Sequence, residues 1–495
     1  MLVALLLLGA ALAGAAELPY GGWIQIPILA LVWWCLDTSK AISFKNSFLL
    51  GWIFGLGYFI IGLWWLYISL HDIGGMNSAL SCVAVFLLSS YVALYFSAAS
   101  LSIRLFRSSA FSGVLLASSW VVFEYLRGEI FTGFPWMGFA ESQVNGPFAA
   151  IAPYLGGLGC TFFAVLAAWL LFCIKKESAK NAVGLLFVLA IPLLAGQSSF
   201  TKPTGEPLSV QLIQGNFAQS LILRPEGIVQ QIDFYNRAIT SSNAELTIAP
   251  ETAFPWPESS LPPDLFLGLQ KFTDTGNGNL LFGTIGRDPY GENGREFSNR
   301  ALGISPKTQR YEYDKNHLVP FGEFIPPGFH WFVSTFSVPL SDFARGGNNQ
   351  ANFTIIRRDQ APLYAAITIC YEDVFGGELA SRIRRNQEPT NLLINITNLA
   401  WFGQSQAPAQ QLRLSQLRSL ETGLPALRAT NTGITSVLGH DGKVLAVLPG
   451  FTQAILSTQV QAYTGKTPYV SWGNLPILSL SCLLLIWGLI RQRRF

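Results

Sequence analysis

Cys370 is the residue whose type and position most strongly indicate chemistry. The other five cysteines lie in or beside long apolar runs, where a buried structural thiol is the ordinary interpretation: Cys35, Cys82, Cys160, Cys173 and Cys482. Cys370 instead follows the apolar run YAAITI and precedes the cluster Tyr371, Glu372 and Asp373. A thiol in that position is a candidate nucleophile, provided that a base or a positive charge favours its thiolate.

Two charged residues elsewhere in the chain could supply that base and that charge. Glu251 in APETAFPW follows the apolar run Leu246 to Ala249, so burial would raise its pKa toward the range of a general base. Lys315 in YEYDKNHLVPFGEF could balance the thiolate and a developing oxyanion. Taken singly, each has an ordinary interpretation, as an exposed glutamate at a strand end or as a surface lysine.

Short apolar runs after residue 200 would position Glu251 and Cys370 at strand ends. A linker rich in proline and glycine at 203–207 precedes them. Five runs indicate buried strands: SVQLIQ from 209, ELTIAP from 245, LLFGTIG from 280, YAAITIC from 364 and NLLINIT from 391. Helical patterns lie between several of them, at Pro225 to Ser241 and Ala409 to Leu420. This alternation predicts an α/β sandwich over residues 200–466 rather than an all-β domain.

The remaining residues, 1–199 and 467–495, have the composition of a membrane protein. Only 12% of the whole chain is charged, against a usual fraction of about 25%. Uncharged runs near the length of about 20 residues that spans a bilayer are clearest at Phe48 to Leu70, Ala79 to Ile103, Ala150 to Ile174 and Trp472 to Ile490. Weaker candidates are Leu2 to Ala16, Ile24 to Leu36, Ala110 to Tyr125 and Ala182 to Ala195. We therefore predict eight transmembrane helices, seven of them before residue 200.

Lysine and arginine in short loops favour the cytoplasmic side and so predict the orientation. With both termini cytoplasmic, eight spans leave only Arg127 in a short outside loop. The ten basic residues then inside are Lys40, Lys45, Arg104, Arg107, Lys175, Lys176, Lys180, Arg491, Arg493 and Arg494. The domain at 200–466 is therefore expected on the exported face. The first run lacks the basic segment of a signal peptide, so we expect a retained helix, although small residues at 13–16 resemble a cleavage site.

Charge and spacing exclude two classes of partner. A net charge of +3, from 32 basic and 29 acidic residues, is too small to indicate nucleic acid, and no Cys/His spacing suggests a metal.

Two features of the sequence each allow two interpretations. Glu124 and Arg127 at a span end are structural or snorkelling groups, or they hold phospholipid head groups. The aromatic segment Phe321 to Leu340 belongs to the core, or it dips toward lipid.

Three motifs in chain order, APETAFPW, DKNHLVPFGEF and ITICYEDVF, resemble the Glu-Lys-Cys triad of the carbon-nitrogen hydrolase (nitrilase) superfamily, whose fold is an α-β-β-α sandwich. With the eight spans, and with WVVFEYLRGEIFTGFPW from 120 and IQGNFAQS from 213, the whole chain resembles the apolipoprotein N-acyltransferase family. The resemblance implies Glu251 as general base, Lys315 as stabiliser of the tetrahedral intermediate and Cys370 as nucleophile. It further implies three supporting residues: Glu323, Tyr371 and Glu372.

The resemblance also implies the last step of lipoprotein maturation at the bacterial inner membrane, with the domain at 200–466 facing the periplasm. An sn-1 acyl chain would pass from a phospholipid, which the family suggests is phosphatidylethanolamine, to a thioester on Cys370. It would then pass to the N-terminal amine of a diacylglyceryl apolipoprotein, in a ping-pong reaction without metal or cofactor. We expect a monomer.

Two other functions stay open at this point. The first is a membrane-tethered amidase or nitrilase that hydrolyses a C–N bond in a soluble substrate. The eight predicted spans and the aromatic segment argue against it, because a soluble substrate needs neither. The second is an inactive lipoprotein-binding scaffold, which the retention of Glu251, Lys315 and Cys370 together disfavours.

Overall fold

The computed structural model describes the chain except for residues 39–42, 107–110, 176–177, 197–198, 223, 289–295, 327, 329–341 and 493–495. The chain forms two compact units. The first, here called the apolar unit, comprises Met1–Tyr67, Asn77–Ser199 and Thr467–Phe495. The second, here called the sandwich unit, comprises Ile68–Met76 and Phe200–Lys466.

The apolar unit is built from long helices whose apolar residues surround the helix axis instead of forming one stripe, as in membrane spans. In chain order they are α1 (Leu2–Ala16), α2 (Gly21–Thr38), α3 (Phe44–Gly62), α4 (Ser78–Leu105), α5 (Ser112–Arg127), α6 (Ala152–Cys173), α7 (Ser178–Ala195) and the C-terminal helix Leu475–Gln492. Shorter helical segments are Trp65–Tyr67, Ile130–Thr132, Phe139–Gln143, Ala149–Ile151 and Pro468–Trp472.

Within the described residues, four helical segments are long and apolar enough to cross a membrane: Phe44–Gly62, Ser78–Leu105, Ala149–Cys173 and Leu475–Gln492. They overlap the four clearest runs of the sequence. The weaker runs coincide with α1, α2, α5 and α7, of which α1 has 15 residues and α5 has 16. The apolar helices fit a membrane protein, and the count of eight spans stays a prediction.

Arg127, at the end of α5, is 1% exposed and is bonded to the backbone of the apolar unit. Its guanidinium donates to the carbonyl oxygens of Trp136 at 2.6 Å, Phe134 at 2.7 Å and Pro135 at 3.2 Å. Nearby on α5, Glu124 accepts a hydrogen bond from the hydroxyl of Thr161 at 3.0 Å. These contacts favour the structural interpretation of the two charges.

The strands of the sandwich unit are β1 (Thr201–Pro203), β2 (Leu208–Gln214), β3 (Leu246–Ile248), β4 (Asn279–Arg287), β5 (Phe297–Ile304), β6 (Tyr311–Asp314), β7 (Phe353–Ile355), β8 (Leu363–Ile369), β9 (Leu392–Thr397), β10 (Ala426–Thr430), β11 (Ser436–Leu438), β12 (Val444–Val447), β13 (Ala454–Val460) and β14 (Tyr463–Gly465). Two six-stranded sheets have the orders β13-β2-β3-β4-β5-β6 and β12-β11-β10-β9-β8-β7, and β1 pairs with β14. The central strands β2, β3 and β4 are parallel, as are β8, β9 and β10.

Apolar side chains from the inner faces of both sheets form one core, which includes Leu212, Ile248, Ile367 and Ile394. The helices α8 (Pro225–Thr240) and α9 (Pro263–Phe272) pack on the other face of the first sheet, where Tyr235 and Leu269 join a second cluster with Phe282. The helices α10 (Gly376–Arg385) and α11 (Ala407–Thr422) pack against each other, and α11 contacts β10 of the second sheet. The predicted α/β sandwich is confirmed, with parallel central strands buried on both faces.

The five strands predicted from apolar runs are present as β2, β3, β4, β8 and β9. In the aromatic segment, Phe321 is exposed and Phe324 is buried. The other aromatic residues of that segment, Phe329, Trp331, Phe332 and Phe336, lie outside the described residues. The choice between core and a loop directed to lipid therefore stays a prediction.

Candidate active site

Three strand ends bring the predicted triad together in the sandwich unit. Glu251 lies just after β3, Lys315 directly follows β6, and Cys370 directly follows β8. The first two strands belong to one sheet and β8 to the other. The charges of Glu251 and Lys315 both act on the thiol of Cys370. The site therefore forms where strand ends from the two sheets meet.

Glu251 is buried and held at both carboxylate oxygens. Its Oε1 accepts a hydrogen bond from Nδ2 of Asn299 at 2.7 Å, and its Oε2 accepts one from the backbone N–H of Asn398 at 2.7 Å. Burial raises the pKa of Glu251 above the ordinary glutamate value, although the charge of Lys315 opposes this shift. The carboxylate is therefore a stronger base than an exposed glutamate.

The backbone around Glu251 requires a glycine on the neighbouring strand. Gly283 of β4 donates its N–H to the carbonyl of Pro250 at 3.1 Å, so the two segments lie in close contact. A Cβ at position 283 would come within 2.6 Å of the Cα of Glu251. Only glycine allows this approach, and it fixes the turn that presents the carboxylate.

Lys315 lies between two carboxylates. Its Nζ is 2.9 Å from a carboxylate oxygen of Glu323 and 3.7 Å from Oε1 of Glu251, and its side chain is 1% exposed. Burial disfavours its charged form, but Glu323 and Glu251 outweigh this effect and raise the pKa of Lys315 above its ordinary value. The ammonium group therefore stays charged and can stabilise a developing oxyanion.

Glu323 links the lysine to the rest of the site. Its carboxylate accepts hydrogen bonds from Nδ2 of Asn299 at 2.8 Å and from the backbone N–H of Val319 at 2.8 Å. The amide of Asn299 thus donates to both Glu251 and Glu323. Since the two carboxylates share one amide donor and one ammonium group, their separation and orientation are fixed together.

Cys370 is partly exposed and stands in a strained backbone conformation, with a φ of +52°. Left-handed values of this kind are uncommon for residues other than glycine and cluster at functional sites. Burial of the sulfur and the negative charge of Glu251 raise the pKa of Cys370 to about 12, despite the opposing effect of Lys315 and a hydrogen bond from Thr397. The thiol therefore carries its proton at neutral pH, and its attack on a carbonyl requires a base.

The other two predicted supporting residues follow Cys370 directly and are buried. Glu372 accepts hydrogen bonds from the backbone N–H groups of Asn316 and Ile369, both at 2.7 Å, and from the hydroxyl of Tyr313 at 2.9 Å. It thereby ties the end of β8 to the segment that carries Lys315. The ring of Tyr371 packs in edge contact with Phe375, 5.2 Å between ring centres.

Three contacts that complete the site are not predicted by the sequence motifs. Asn299 positions both carboxylates, the backbone N–H of Asn398 holds Glu251, and Thr397 donates to the sulfur. The only available signal was the presence of polar residues within strand segments that also carry apolar residues, FSNRALGI for Asn299 and NLLINITN for the other two. Because buried polar groups must be paired, such residues are worth marking as candidates.

Together these groups can carry out nucleophilic acyl transfer. A protonated thiol, a buried carboxylate of raised pKa and a fixed ammonium group supply the nucleophile, the base and the oxyanion stabiliser. Among the described residues, no group of three or more His, Cys, Asp or Glu side chains could hold a metal ion.

Comparisons with known proteins cover nearly the whole chain. Residues 9–170 match the apolipoprotein N-acyltransferase N-terminal domain, and residues 209–469 match the carbon-nitrogen hydrolase family. A protein of Ralstonia nicotianae named apolipoprotein N-acyltransferase is 40% identical, over 95% of this chain and 90% of its own. Proteins of the same name from Nitrosomonas europaea and Chromobacterium violaceum are 38% and 37% identical, over 94% and 100% of this chain and 91% and 95% of their own.

Proposed function

The chain belongs to the apolipoprotein N-acyltransferase family and contains its carbon-nitrogen hydrolase domain, and we propose from this how the described site acylates a lipoprotein. The protein is an acyltransferase of lipoprotein biosynthesis. In our proposal the acyl chain passes through a thioester on Cys370. The donor is a phospholipid, and the acceptor is the free amine of the N-terminal diacylglyceryl-cysteine of an apolipoprotein.

The first half-reaction forms the thioester. Glu251 takes the proton of the Cys370 thiol while the sulfur attacks the sn-1 ester carbonyl of the phospholipid. Lys315 stabilises the negative charge that develops on the carbonyl oxygen. The carbon–oxygen ester bond then breaks, and Glu251 returns the proton to the departing oxygen, so that a lyso-phospholipid leaves. The sulfur retains the acyl group.

The second half-reaction forms the amide. The α-amine of the acceptor attacks the thioester carbonyl and loses a proton to Glu251. The carbon–sulfur bond breaks, the proton passes from Glu251 to the sulfur, and the N-acylated lipoprotein leaves the free thiol behind. Two activated steps thus replace one difficult step, and Glu251 acts as base and then acid in each.

One observation carries this proposal: the ammonium group of Lys315 is 3.7 Å from the carboxylate of Glu251, and both charges act on the thiol of Cys370. The raised pKa of Glu251 suits a residue that must hold a proton during each step and then release it. Glu323, Tyr371 and Glu372 act by fixing these groups in place.

The membrane setting completes the proposal. We place the chain in the bacterial inner membrane as a monomer with eight spans, both termini cytoplasmic and the sandwich unit periplasmic. The distribution of lysine and arginine in the short loops supports this orientation. Both substrates carry acyl chains that stay in hydrocarbon, so a membrane-anchored site near the outer leaflet suits them. We propose phosphatidylethanolamine as the donor.

Intact-mass analysis tests the thioester directly. Detergent-solubilised protein is incubated with phosphatidylethanolamine alone, and we expect an adduct of one acyl chain. Addition of a diacylated lipopeptide should then remove the adduct and leave the lipopeptide heavier by that chain. Cys370→Ala should form no adduct. Cys482→Ala is the matched control, because it removes an exposed thiol of the apolar unit and should form the adduct as the wild type does.

Two results would contradict the proposal. An adduct that persists in Cys370→Ala would place the acyl group on another residue. Release of ammonia from a soluble amide, with no acyl transfer to the lipopeptide, would favour the membrane-tethered amidase. Comparison of several phospholipid head groups in the same assay tests the choice of phosphatidylethanolamine.

A further inference from the structure

The left-handed backbone of Cys370 depends on contacts that hold it. Two amide side chains donate hydrogen bonds to its carbonyl oxygen: Nε2 of Gln411 at 2.9 Å and Nδ2 of Asn395 at 3.4 Å. Gln411 lies on α11 and Asn395 on β9, and both are buried. The turn that presents the nucleophile is therefore fixed from a neighbouring strand and from a helix on the second sheet.

Gln411 has only one workable amide orientation. Its Oε1 accepts a hydrogen bond from Nη2 of Arg428 at 2.5 Å, and its Nε2 also donates to Oγ1 of Thr397 at 3.3 Å. A flipped amide would place its oxygen against the carbonyl of Cys370 and its N–H groups against a guanidinium, so both contacts would become repulsive. Arg428 therefore determines that the N–H groups of Gln411 face Cys370 and Thr397.

Thr397 connects this orientation to the sulfur. Gln411 contacts both the carbonyl of Cys370 and the buried hydroxyl of Thr397. That hydroxyl is close enough to Sγ of Cys370 to lower the pKa of the thiol. A hydroxyl has a single hydrogen, while its oxygen can accept hydrogen bonds at the same time. Because the oxygen accepts from Gln411, the hydrogen is free to point at the sulfur. Such a donor favours the thiolate over the thiol.

Arg428 is held in turn by buried groups. Its side chain is 0% exposed, and its Nη1 lies 2.9 Å from Oγ of Ser415, 3.2 Å from Oδ1 of Asn395 and 3.3 Å from Oδ2 of Asp373. Asp373 also accepts hydrogen bonds from Thr368 at 2.9 Å and from Ser415 at 2.5 Å. The carboxylate balances the guanidinium charge, and the whole group has little freedom to rearrange.

We propose that Arg428, Gln411 and Thr397 form a hydrogen-bond relay that aims the Thr397 hydroxyl at the sulfur of Cys370 and holds the strained turn. The three are positioning residues: they transfer no proton and touch no substrate. The inference rests on the proposed role of Cys370 as nucleophile. Its consequence is that the reactivity of the sulfur depends on side chains of β9, β10 and α11, as well as on the triad.

Alkylation of Cys370 tests the relay without any lipid substrate. The full-length protein in detergent reacts with iodoacetamide between about pH 7 and pH 9, where the rate follows the thiolate fraction, and mass spectrometry of the Cys370 peptide gives the rate. Thr397→Val keeps the shape and loses the donor, so we expect the rate to fall on the order of tenfold at each pH. Thr397→Ser restores a hydroxyl and should restore most of the rate.

Gln411→Leu should slow alkylation to a similar extent, because Thr397 then loses the contact that orients it. Gln416→Leu is the matched control. Gln416 is a buried glutamine on the same helix that donates to a backbone carbonyl, that of Gly442, at 2.9 Å. Its loss should lower the unfolding temperature and leave the alkylation rate unchanged. The charged groups that act on the sulfur, Glu251, Lys315, Glu323 and Arg428, stay the same in all four variants.

The inference is overturned if Thr397→Val and Gln411→Leu are alkylated as fast as the wild type across this pH range. It is also overturned if Thr397→Ser is as slow as Thr397→Val, because shape alone would then explain the loss. The acyl adduct is measured in parallel on the wild type. If the wild type forms no adduct but the alkylation rates differ as expected, the proposed function fails while the relay stands.

Discussion

The sandwich unit and the apolar unit each bury a positive charge, and they bond it to different kinds of group. Lys315 contacts the carboxylates of Glu323 and Glu251 at 2.9 and 3.7 Å. Arg127 instead donates to three backbone carbonyls between 2.6 and 3.2 Å. Both side chains are 1% exposed, so burial alone does not distinguish a reactive charge from a structural one.

The bonding partners make that distinction. Carboxylates can exchange protons with a substrate. An ammonium group between two carboxylates lets them lie close together and leaves them able to accept a proton. Carbonyl oxygens have no such capacity, and a guanidinium that donates to three of them fixes the path of the chain. We therefore propose that Lys315 takes part in the reaction and that Arg127 stabilises the fold, and the same substitution at each position tests this proposal.

Lys315→Met should have the largest effect. The methionine fills the space of the aliphatic stem but leaves the carboxylates of Glu251 and Glu323 without a cation and removes the proposed oxyanion stabiliser. We expect the initial rate of lipopeptide acylation to fall on the order of 10²- to 10³-fold, measured on protein shown to be folded by thermal unfolding. Lys443→Met is the control, since that side chain is 79% exposed and pairs with Asp441 away from the site. A rate within about threefold of the wild type, less than one good hydrogen bond is worth, would mean that Lys315 is structural.

Arg127→Met should give the opposite pattern. Three carbonyl oxygens lose their donor, at a cost of about 1 to 3 kcal/mol for each that stays buried and unpaired. We expect a fall of several degrees in the midpoint of thermal unfolding in detergent. The rate of acyl-adduct formation per folded molecule should stay close to that of the wild type. If the rate of adduct formation falls strongly while the midpoint of thermal unfolding is unchanged, Arg127 belongs with the lipid-binding groups, and the contrast between Arg127 and Lys315 is wrong.

The sequence allowed the strands that carry Glu251 and Cys370 to be predicted, but not β6, which carries Lys315. Apolar runs identify β3 and β8, and a charged residue or a cysteine that directly follows such a run is thereby placed at the end of the strand. Asn299 and Gln411 could not be found in this way. Their partners lie 48 and 41 residues away in the chain, and no periodic pattern in the sequence reveals which distant group a polar side chain will meet.

The spans show a related limit. A run of apolar residues predicts a helix, but the length of the run decides whether that helix can cross a bilayer, which takes about 20 residues. The described residues include four helical segments of sufficient length, while α1 has 15 residues and α5 has 16. Hydropathy therefore locates the apolar helices well. The total of eight depends in addition on the alternation of basic loops, a property of the chain in its membrane.

The smallest of these effects concerns pH and tests whether the carboxylate of Glu251 is the base. Burial raises the pKa of Glu251, whereas the amide of Asn299 stabilises the charged carboxylate and lowers that pKa. The base works only when deprotonated, so the acylation rate should fall as the pH decreases through this raised pKa, above the ordinary glutamate value. We call this fall the acid limb of the pH–rate profile. Asn299→Leu removes a donor to the charged form and should move the acid limb to higher pH by up to about one unit.

The matched control for that shift is Asn352→Leu, a buried asparagine whose amide donates to Thr390 at 2.9 Å outside the site. It should destabilise the fold and leave the acid limb where it is in the wild type. An acid limb of Asn299→Leu that coincides with that of the wild type would show that another group titrates there. In that case Glu251 would resemble Arg127 more than Lys315, a buried charge that shapes the site without taking part in the reaction.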